Sequence, residues 1–419
     1  MVDLARVDLR REFKTAEARA NPLPVYARMR KLGPVLRSKD LLGEGFVLPR
    51  HEEVACVIRD PRFASDRKNR RAGSSTDPWW MPALLKLLGS SMVLKDPPEH
   101  RRLRNLVQKA FTPARVENLR DRVAQIAEEL LDAAAGKPVV DLMADFALPL
   151  PLTVIAEMLG VPPADRLRFR RLIVKVQGTS AANPLSFVRT YPHMVGLSRF
   201  LQGLVMLRRE QPGNDLVTAL VQAEEEGDRL SEDELIAMVF LLLFAGHETT
   251  VNLIGNGVLE LVQHPDQLQR LREQPDLIDS AIDEMLRFTN PVGMVAPRFA
   301  REDLDVAGVP IPKGTVVTLL IGSANLDETV FPDADRFDIT RSPNRHLSFG
   351  HGAHYCLGAP LARLETRIAI PALLQRFDRL ELTVPAAKLR WRPHIGLRGV
   401  EALPLSVTAT GASVGRSAR

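Results

Sequence analysis

Apolar residues recur every three or four positions along most of this chain, which is the spacing of one face of an α-helix. Segments typical of β-strands are fewer and shorter. The pattern therefore predicts a mainly α fold with a smaller β-rich region. The predicted helical segments are 99–111, 116–134, 230–264, 277–288 and 360–377, and the predicted strands lie within 33–38, 45–50 and 304–322.

The most apolar of these segments predicts one long helix that threads the core. Ser231 precedes Glu234 by three residues, which is the spacing of a capping box at a helix start. The pair His264-Pro265 predicts the end of the helix. The span is roughly 32 residues, or about 48 Å. Its longest apolar run, 235–246, is too short to cross a bilayer, so we expect a buried helix and no membrane span.

The middle of this helix reads AGHETT. Gly246 is unfavourable in a helix interior by about 1 kcal/mol, and Glu248 places a carboxylate directly after the most apolar residues. One interpretation is a kinked core helix in which Glu248 finds a salt bridge. The other is a ligand lying against the stripe of Leu241, Ala245 and Thr249, with Glu248 and Thr249 handling protons.

Composition limits the function classes. Hydrophobic residues make up 45% of the 419 residues, and no compositional shift marks a linker; we therefore predict one large domain over 1–407 and a loose tail over 408–419. The net charge of +5 does not suggest nucleic-acid binding. Two cysteines and no signal-peptide pattern indicate a cytoplasmic, monomeric protein. We expect Cys56 to be a small buried hydrophobe.

The second cysteine lies in a glycine-rich loop before a predicted helix. Gly350 and Gly352 allow the backbone to turn tightly, and the helix start favours the Cys356 thiolate. His354 is the nearest base for a nucleophile, but the two side chains need not touch. Zinc requires further cysteines or histidines at ligand spacing, and covalent c-type haem requires CxxCH. A metal with one protein thiolate, such as haem iron, remains.

These residues resemble a known family. The segment from Phe349 to Gly358 is similar to the haem-binding signature FGxGxxxCxG of the cytochromes P-450. Further segments resemble other motifs of the family in the family's order. They are EHRRLR (99–104), AGHETT (245–250), EMLR (284–287), APR (296–298) and DRF (335–337).

The resemblance implies a single large helical haem-thiolate monooxygenase fold. Such an enzyme inserts one oxygen atom from O2 into a mid-sized hydrophobic substrate, by hydroxylation or epoxidation. Cys356 would bind the iron of haem b, supported by the backbone N–H groups of Leu357 and Gly358, and Phe349 would flank the sulfur. Thr249 would hydrogen-bond to dioxygen in the site, and Glu248 would relay protons.

Other roles follow from the same resemblance. The haem-binding set is His100, Arg104, Arg298, Phe349, Gly350, His354, Cys356 and Gly358, of which His100, Arg104, Arg298 and His354 would hold the propionates. The structural triad behind the cysteine loop is Glu284, Arg287 and Arg336. The substrate pocket is Leu241, Phe244, Ala245, Val292, Met294, Val295 and Ile395.

Electrons would come from a separate acidic ferredoxin or flavodoxin. Basic residues around the cysteine side of the fold would steer such a donor. They are Arg101, Arg102, Lys109, Arg363 and Arg367. Two other function classes stay open on the residues alone: a non-enzymatic haem sensor or carrier, which would not need Glu248 and Thr249, and a cysteine hydrolase, which would need a base and no iron.

Overall fold

The computed structural model describes residues 4–40, 43–69, 89–177, 184–225, 228–394 and 396–410. Ile395 and residues 411–419 of the predicted tail lie outside these ranges. Within them the fold is mainly helical, as predicted. The α-helices are α1 (Leu9–Glu12), α2 (Ala16–Ala20), α3 (Leu23–Leu32), α4 (His51–Arg59), α5 (Glu99–Ala110), α6 (Pro113–Glu117), α7 (Arg120–Ala135), α8 (Pro149–Met158), α9 (Arg166–Gln177), α10 (Pro184–Glu210), α11 (Leu216–Gln222), α12 (Glu232–Gln263), α13 (Pro265–Glu273), α14 (Ile278–Thr289), α15 (Ile321–Ala324) and α16 (Ala359–Arg376).

The strands form a smaller β-rich region, which is also as predicted. They are β1 (Arg6–Val7), β2 (Leu36–Asp40), β3 (Gly43–Leu48), β4 (Phe63–Ala64), β5 (Val139–Asp141), β6 (Glu224–Glu225), β7 (Asp228–Arg229), β8 (Arg298–Ala300), β9 (Leu304–Val306), β10 (Val309–Ile311), β11 (Val316–Leu319), β12 (Phe377–Leu382) and β13 (Pro404–Ala409). The largest sheet has the order β1-β2-β3-β11-β8-β4, with β3 antiparallel to β2 and parallel to β11.

A second sheet joins the end of the chain to its middle. It has the order β12-β13-β5, and all its pairs are antiparallel. Strand β13 ends at Ala409, and the backbone N–H of Thr410 donates to the carbonyl oxygen of Arg376 at 2.9 Å. The predicted boundary at residue 407 is therefore too early, because Thr408 and Ala409 belong to this sheet.

Helix α12 begins after Ser231, where both bonds of the predicted capping box with Glu234 are present. It packs against α8, α14 and α16 in the middle of the main hydrophobic core. By length and composition the whole of α12 could cross a membrane. Its burial is that of a core helix in a globular protein, because 61% of its most apolar window is inside the fold.

Helix α4 shows where a second expectation fails. Val54, Val57 and Ile58 are buried, and this spacing turns the opposite face of α4 outward. Cys56 lies on that outward face and is exposed. It is therefore not the buried hydrophobe that its apolar neighbours suggested.

Candidate active site

The cysteine loop is closed by its own backbone. The N–H of Cys356 donates to the carbonyl oxygen of Phe349 at 2.9 Å, and Gly350 N–H donates to Leu347 at 2.8 Å. Gly350 and Gly352 both have φ of +67°, a left-handed conformation that residues with a Cβ rarely adopt. The glycines that the sequence singled out are thus required for the turn that presents Cys356 at the start of α16.

The Cys356 sulfur is partly buried and receives backbone hydrogen bonds. Burial raises the pKa of the thiol, whereas the N–H groups of Gly358 and Ala359 and the charge of Arg104 act in the opposite direction. The expected support from Gly358 is present, and the second donor is Ala359 where Leu357 was expected. A single, partly buried sulfur with donors directed at it fits a metal that takes one protein thiolate.

The predicted propionate residues meet beside this loop. The rings of His100 and His354 lie 4.1 Å apart between centroids. Burial, and then the charges of His100 and Arg298, lower the pKa of His354 to about 3. Burial likewise lowers the pKa values of His100, Arg104 and Arg298. The structure therefore brings together four basic side chains from three separate segments, as the sequence analysis expected.

The carboxylate nearest this cluster is already engaged. Asp96 accepts hydrogen bonds from the backbone N–H groups of Ser65 and Asp66 at 2.8 and 3.1 Å, and it pairs with Arg301 at 3.0 Å. The basic cluster therefore keeps a desolvated excess of positive charge. Such a cluster suits an anionic partner, and the two propionates of haem are of this kind.

On the central helix, Thr249 and Glu248 lie on different sides. The Thr249 hydroxyl donates to the carbonyl oxygen of Ala245 at 2.8 Å, and Ala245 is exposed although the helix runs through the core. Glu248 is only 8% exposed, and its carboxylate lies 3.4 Å from the guanidinium of Arg392. The salt bridge expected for a core carboxylate is thus present, while helical structure continues through Gly246 without a break.

His247 between them is fully buried. Its Nδ1 lies 2.6 Å from the carbonyl oxygen of Leu243. Burial lowers its pKa to about 4, with an opposing contribution from that hydrogen bond and a further lowering by Arg392. The imidazole is therefore neutral at pH 7 and serves the packing of the helix.

The predicted pocket residues come from two places. On α12, Leu241, Phe244 and Ala245 share one face, and Phe244 stacks on Phe240 at 4.3 Å. The other group follows α14, where Gly293 N–H donates to the Gly396 carbonyl oxygen at 2.9 Å. Val292 bridges to Leu397, while Met294 and Val295 are partly buried against two smaller cores. Ile395, also predicted, lies outside the described residues.

The structural triad needs one correction. Glu284 and Arg287 are fully buried and form two hydrogen bonds of 2.7 and 2.8 Å, as predicted. The third member is Arg341, which lies 3.2 Å from the Glu284 carboxylate. Arg336 is exposed and meets Arg287 only through its own carbonyl oxygen, at 3.0 Å. The assignment of Arg336 was wrong because the chain turns its side chain outward at this point.

The triad supports the loop through Asn325. Arg287 donates to the Asn325 carbonyl oxygen at 3.0 Å, and the Asn325 amide accepts from Leu347 N–H at 2.7 Å and donates to the Ser348 hydroxyl at 2.9 Å. These bonds fix the residues immediately before Phe349. The buried ion pair thus positions the loop that carries the cysteine, a supporting role of the kind that outer partners have at metal sites.

Comparison with known proteins agrees with this arrangement. The family model of Cytochrome P-450 matches residues 197–391. Cytochrome P-450 107B1 of Saccharopolyspora erythraea is 46% identical over 389 residues, covering 91% of this chain and 93% of the relative. Cytochrome P-450 monooxygenase PikC of Streptomyces venezuelae is 44% identical, covering 92% and 91%. The structure of PksS of the bacillaene polyketide synthase of Bacillus subtilis has a TM-score of 0.86 at 40% identity, covering 94% and 99%.

The chain therefore belongs to the cytochrome P-450 family. It is a haem-thiolate monooxygenase that uses O2, and its relatives act by hydroxylation or epoxidation. The family supports this function and not that of a haem sensor or carrier. It also uses an organic substrate and a redox partner.

Several residues of this site were not anticipated. Arg341 and Arg392 each contact a predicted residue across a long stretch of chain, which local spacing cannot indicate. Asp96 pairs with Arg301, which was not predicted either. Ser65 was likewise not anticipated; its hydroxyl lies 3.1 Å from Nε2 of His354, which is distant along the chain. The Ala359 N–H could have been expected, because it is among the first free N–H groups of α16.

Proposed function

We propose that this monooxygenase hydroxylates or epoxidises a mid-sized hydrophobic compound at a haem b whose iron is bound by Cys356. The observation that carries the proposal is the cluster of four basic side chains beside the partly buried sulfur of the loop. A polyketide-type substrate is favoured, since PksS is named for polyketide biosynthesis. The apolar side chains of Leu241, Phe244 and Val292 support a hydrophobic compound over a charged one.

The residues present fit haem b. When bound, haem supplies an iron centre that activates dioxygen with two electrons and two protons. Cys356 would be its protein ligand, and the N–H groups of Gly358 and Ala359 would stabilise the thiolate. The propionates would be bound by charge-assisted hydrogen bonds from the four basic side chains beside the loop. These are His100, Arg104, Arg298 and His354.

Thr249 and Glu248 of α12 would control the delivery of protons in the site. The Thr249 hydroxyl donates to the carbonyl oxygen of Ala245. Ala245 is exposed although α12 runs through the core. Glu248 is a carboxylate one residue away that can accept and release a proton. We assign Thr249 the role of hydrogen-bond donor in the site and Glu248 the role of proton relay.

An acidic ferredoxin or flavodoxin is proposed as the electron donor, in the cytoplasm. Three of the basic residues expected to steer it are already paired: Arg363 with Asp283 at 2.6 Å, Arg367 with Asp279 at 2.5 Å, and Arg102 with Glu234. Among the described residues, Arg59 of α4 is an exposed basic residue close to the cysteine loop with no ion pair. Helix α4 reaches the loop, because a Cβ at Gly352 would come within 3.8 Å of the Arg59 Cα.

The side chains of α4 line an open cleft. Its volume is about 640 Å³, and its basic members are His51, Arg59 and Arg345. Two carboxylates, Glu52 and Asp60, also line it. Because α4 lies against the loop that carries Cys356, we propose that the donor docks at this cleft.

The proposal is tested by spectroscopy. The purified protein is reduced under carbon monoxide, and thiolate-bound haem is expected to give a strongly red-shifted Soret band that histidine-bound haem does not give. Cys356→Ser is expected to lose this band, and Cys56→Ser, in the exposed cysteine, is expected to keep it. Spin-state shifts are then measured with a macrolide aglycone, a steroid and a fatty acid. Loss of the band in the Cys56 variant instead would refute the assignment of Cys356.

A further inference from the structure

Arg392 links Glu248 to a second part of the molecule. Its guanidinium lies 3.4 Å from the Glu248 carboxylate, and its backbone N–H donates to the Gly399 carbonyl oxygen at 2.9 Å. The neighbouring bridge between Trp391 and Val400 holds this segment in an extended pair. Arg392 is therefore fixed by its backbone while its side chain reaches the carboxylate of the central helix.

Arg392 also lines a small cavity. The cavity lies between the N-terminal segment and residues of 391–394 and 397–399, and its volume of about 20 Å³ is room for about one water molecule. Arg19, Tyr26 and Arg398 are among the polar residues of its wall. Of the described residues that line it, none belongs to the cysteine loop or to the predicted propionate-binding set.

The wall of this cavity carries hydrogen-bond donors without partners. The Nε atoms of Arg19 and Arg398 are buried, and neither has a hydrogen-bond partner among the described residues. Buried donors of this kind are normally satisfied by ordered water. The cavity is polar and large enough for such a water, so we expect it to be hydrated.

Asn252 extends the same pattern along α12. It lies four residues after Glu248, hence one turn further on the same face, and it is fully buried. Neither its Oδ1 nor its Nδ2 has a partner within the part of the chain that the structure describes. Asn252 packs against Gly399 of the cavity wall, where a Cβ would come within 2.0 Å of Oδ1. A side chain at 399 would therefore displace the amide.

We propose that Arg392, Asn252 and this cavity form a hydrated inlet behind the central helix, through which solvent protons reach Glu248. Arg392 is a positioning residue, because its guanidinium keeps its proton and instead orients water and the Glu248 carboxylate. A proton carried by the water is accepted by the carboxylate and then passed toward Thr249, and solvent replaces it. The inference rests on the proposed role of Glu248 as a relay.

The test follows the fate of dioxygen in the haem-loaded enzyme. A plant-type ferredoxin and its NADPH-dependent reductase supply electrons, and no organic substrate is required. Release of hydrogen peroxide takes two electrons and two protons per dioxygen, whereas full reduction to two water molecules takes four of each. Slow proton supply therefore raises the fraction of dioxygen released as peroxide, which NADPH, dioxygen and peroxide measurements give directly.

Arg392→Gln and Asn252→Leu are expected to raise the peroxide fraction, with a fall in the rate of water formation of about tenfold, a part of the usual effect of positioned proton transfer. Arg392→Lys should retain part of the wild-type rate of water formation. The matched control is Arg390→Gln, in the same segment but 86% exposed, which should match the wild type. All variants should keep the wild-type carbon monoxide spectrum.

Two further measurements separate this inference from the proposed function. If Glu248→Gln raises the peroxide fraction while Arg392→Gln and Asn252→Leu do not, the inlet is refuted and the relay stands. If Glu248→Gln has no effect, both fail. Independently of turnover, the infrared carboxylate band lost in Glu248→Gln should shift in Arg392→Gln but not in Arg390→Gln, and an unchanged band would overturn the role of Arg392.

Discussion

The rings of His100 and His354 lie 4.1 Å apart, one on α5 and the other two residues before Cys356. Two imidazoles at this distance are stable only while both are neutral, unless an anion lies against them. Burial lowers the pKa values of both, to about 3 for His354. Each can therefore donate one hydrogen bond without carrying charge, and an arriving carboxylate finds donors that need no reorganisation.

His354→Ala is accordingly expected to weaken haem retention. A hydrogen bond to a charged group contributes about 1.5–3 kcal/mol, so haem should leave about tenfold faster or more. The rate is measured by transfer of haem to excess apomyoglobin. His351→Ala on the same loop is the matched control, since the nearest charges to His351 are Arg59 and His51. Equal rates for the two variants would remove His354 from the haem-binding set.

Thr249→Ala is expected to keep substrate binding and to divert electrons to hydrogen peroxide. The reason is that the hydroxyl is the polar group that α12 offers beside the exposed Ala245. Product and peroxide formed per NAD(P)H are measured with a compound that shifts the Soret band. Thr250→Ala is the control, because that hydroxyl is buried and bonds to the carbonyl oxygen of Gly246 at 3.2 Å. Unchanged product per NAD(P)H in Thr249→Ala would contradict the assignment.

These two predictions use residues that were identified from the sequence, and the reason is local chemistry. A capping box, left-handed glycines and a cysteine at a helix start are properties of a few neighbouring residues, so Ser231, Gly350 and Cys356 could be interpreted correctly. The outward face of Cys56 was also available from the spacing of Val54 and Val57 but was overlooked.

Partners distant along the chain could not be predicted in this way. Arg392 lies 144 residues beyond Glu248, and no local pattern marks it. The choice between Arg336 and Arg341 depends on how the backbone turns over five residues, which decides which guanidinium faces inward. Both arginines lie in the same segment, and the resemblance of DRF (335–337) to a family motif pointed to the wrong one.

Arg341→Ala is expected to destabilise the fold far more than Arg336→Ala. Arg341 pairs with the fully buried Glu284 at 3.2 Å and donates to the Pro332 carbonyl oxygen at 2.6 Å. Removing one partner of a buried ionic group costs about 3 kcal/mol, whereas an exposed side chain such as Arg336 contributes about 0.5 kcal/mol or less. Urea unfolding measures both. A larger loss in Arg336→Ala would restore the original assignment of the triad.

Arg59→Glu is expected to slow reduction by an acidic donor, and added salt should reduce the difference from the wild type. Exposed charges interact over about 10 Å at 0.1 M salt, so steering is strongest at low ionic strength. The reduction rate is followed by stopped-flow under carbon monoxide. Arg379→Glu, on an exposed position of β12, is the control for net charge. Equal slowing in both variants would argue against docking at the α4 cleft.

His247 predicts how stability depends on pH. Its pKa is about 4 in the folded protein and about 6.5 when unfolded. Above pH 6.5 the imidazole is neutral in both states and pH has no effect through this group. As the pH falls toward 4 the unfolded chain binds a proton that the folded protein does not, so stability is lost, by about 2 kcal/mol at pH 5. His247→Gln should remove this part of the loss, in urea unfolding at pH 7 and pH 5, while His193→Gln should not. If the two variants lose equal stability between these pH values, the buried neutral state of His247 is not the cause.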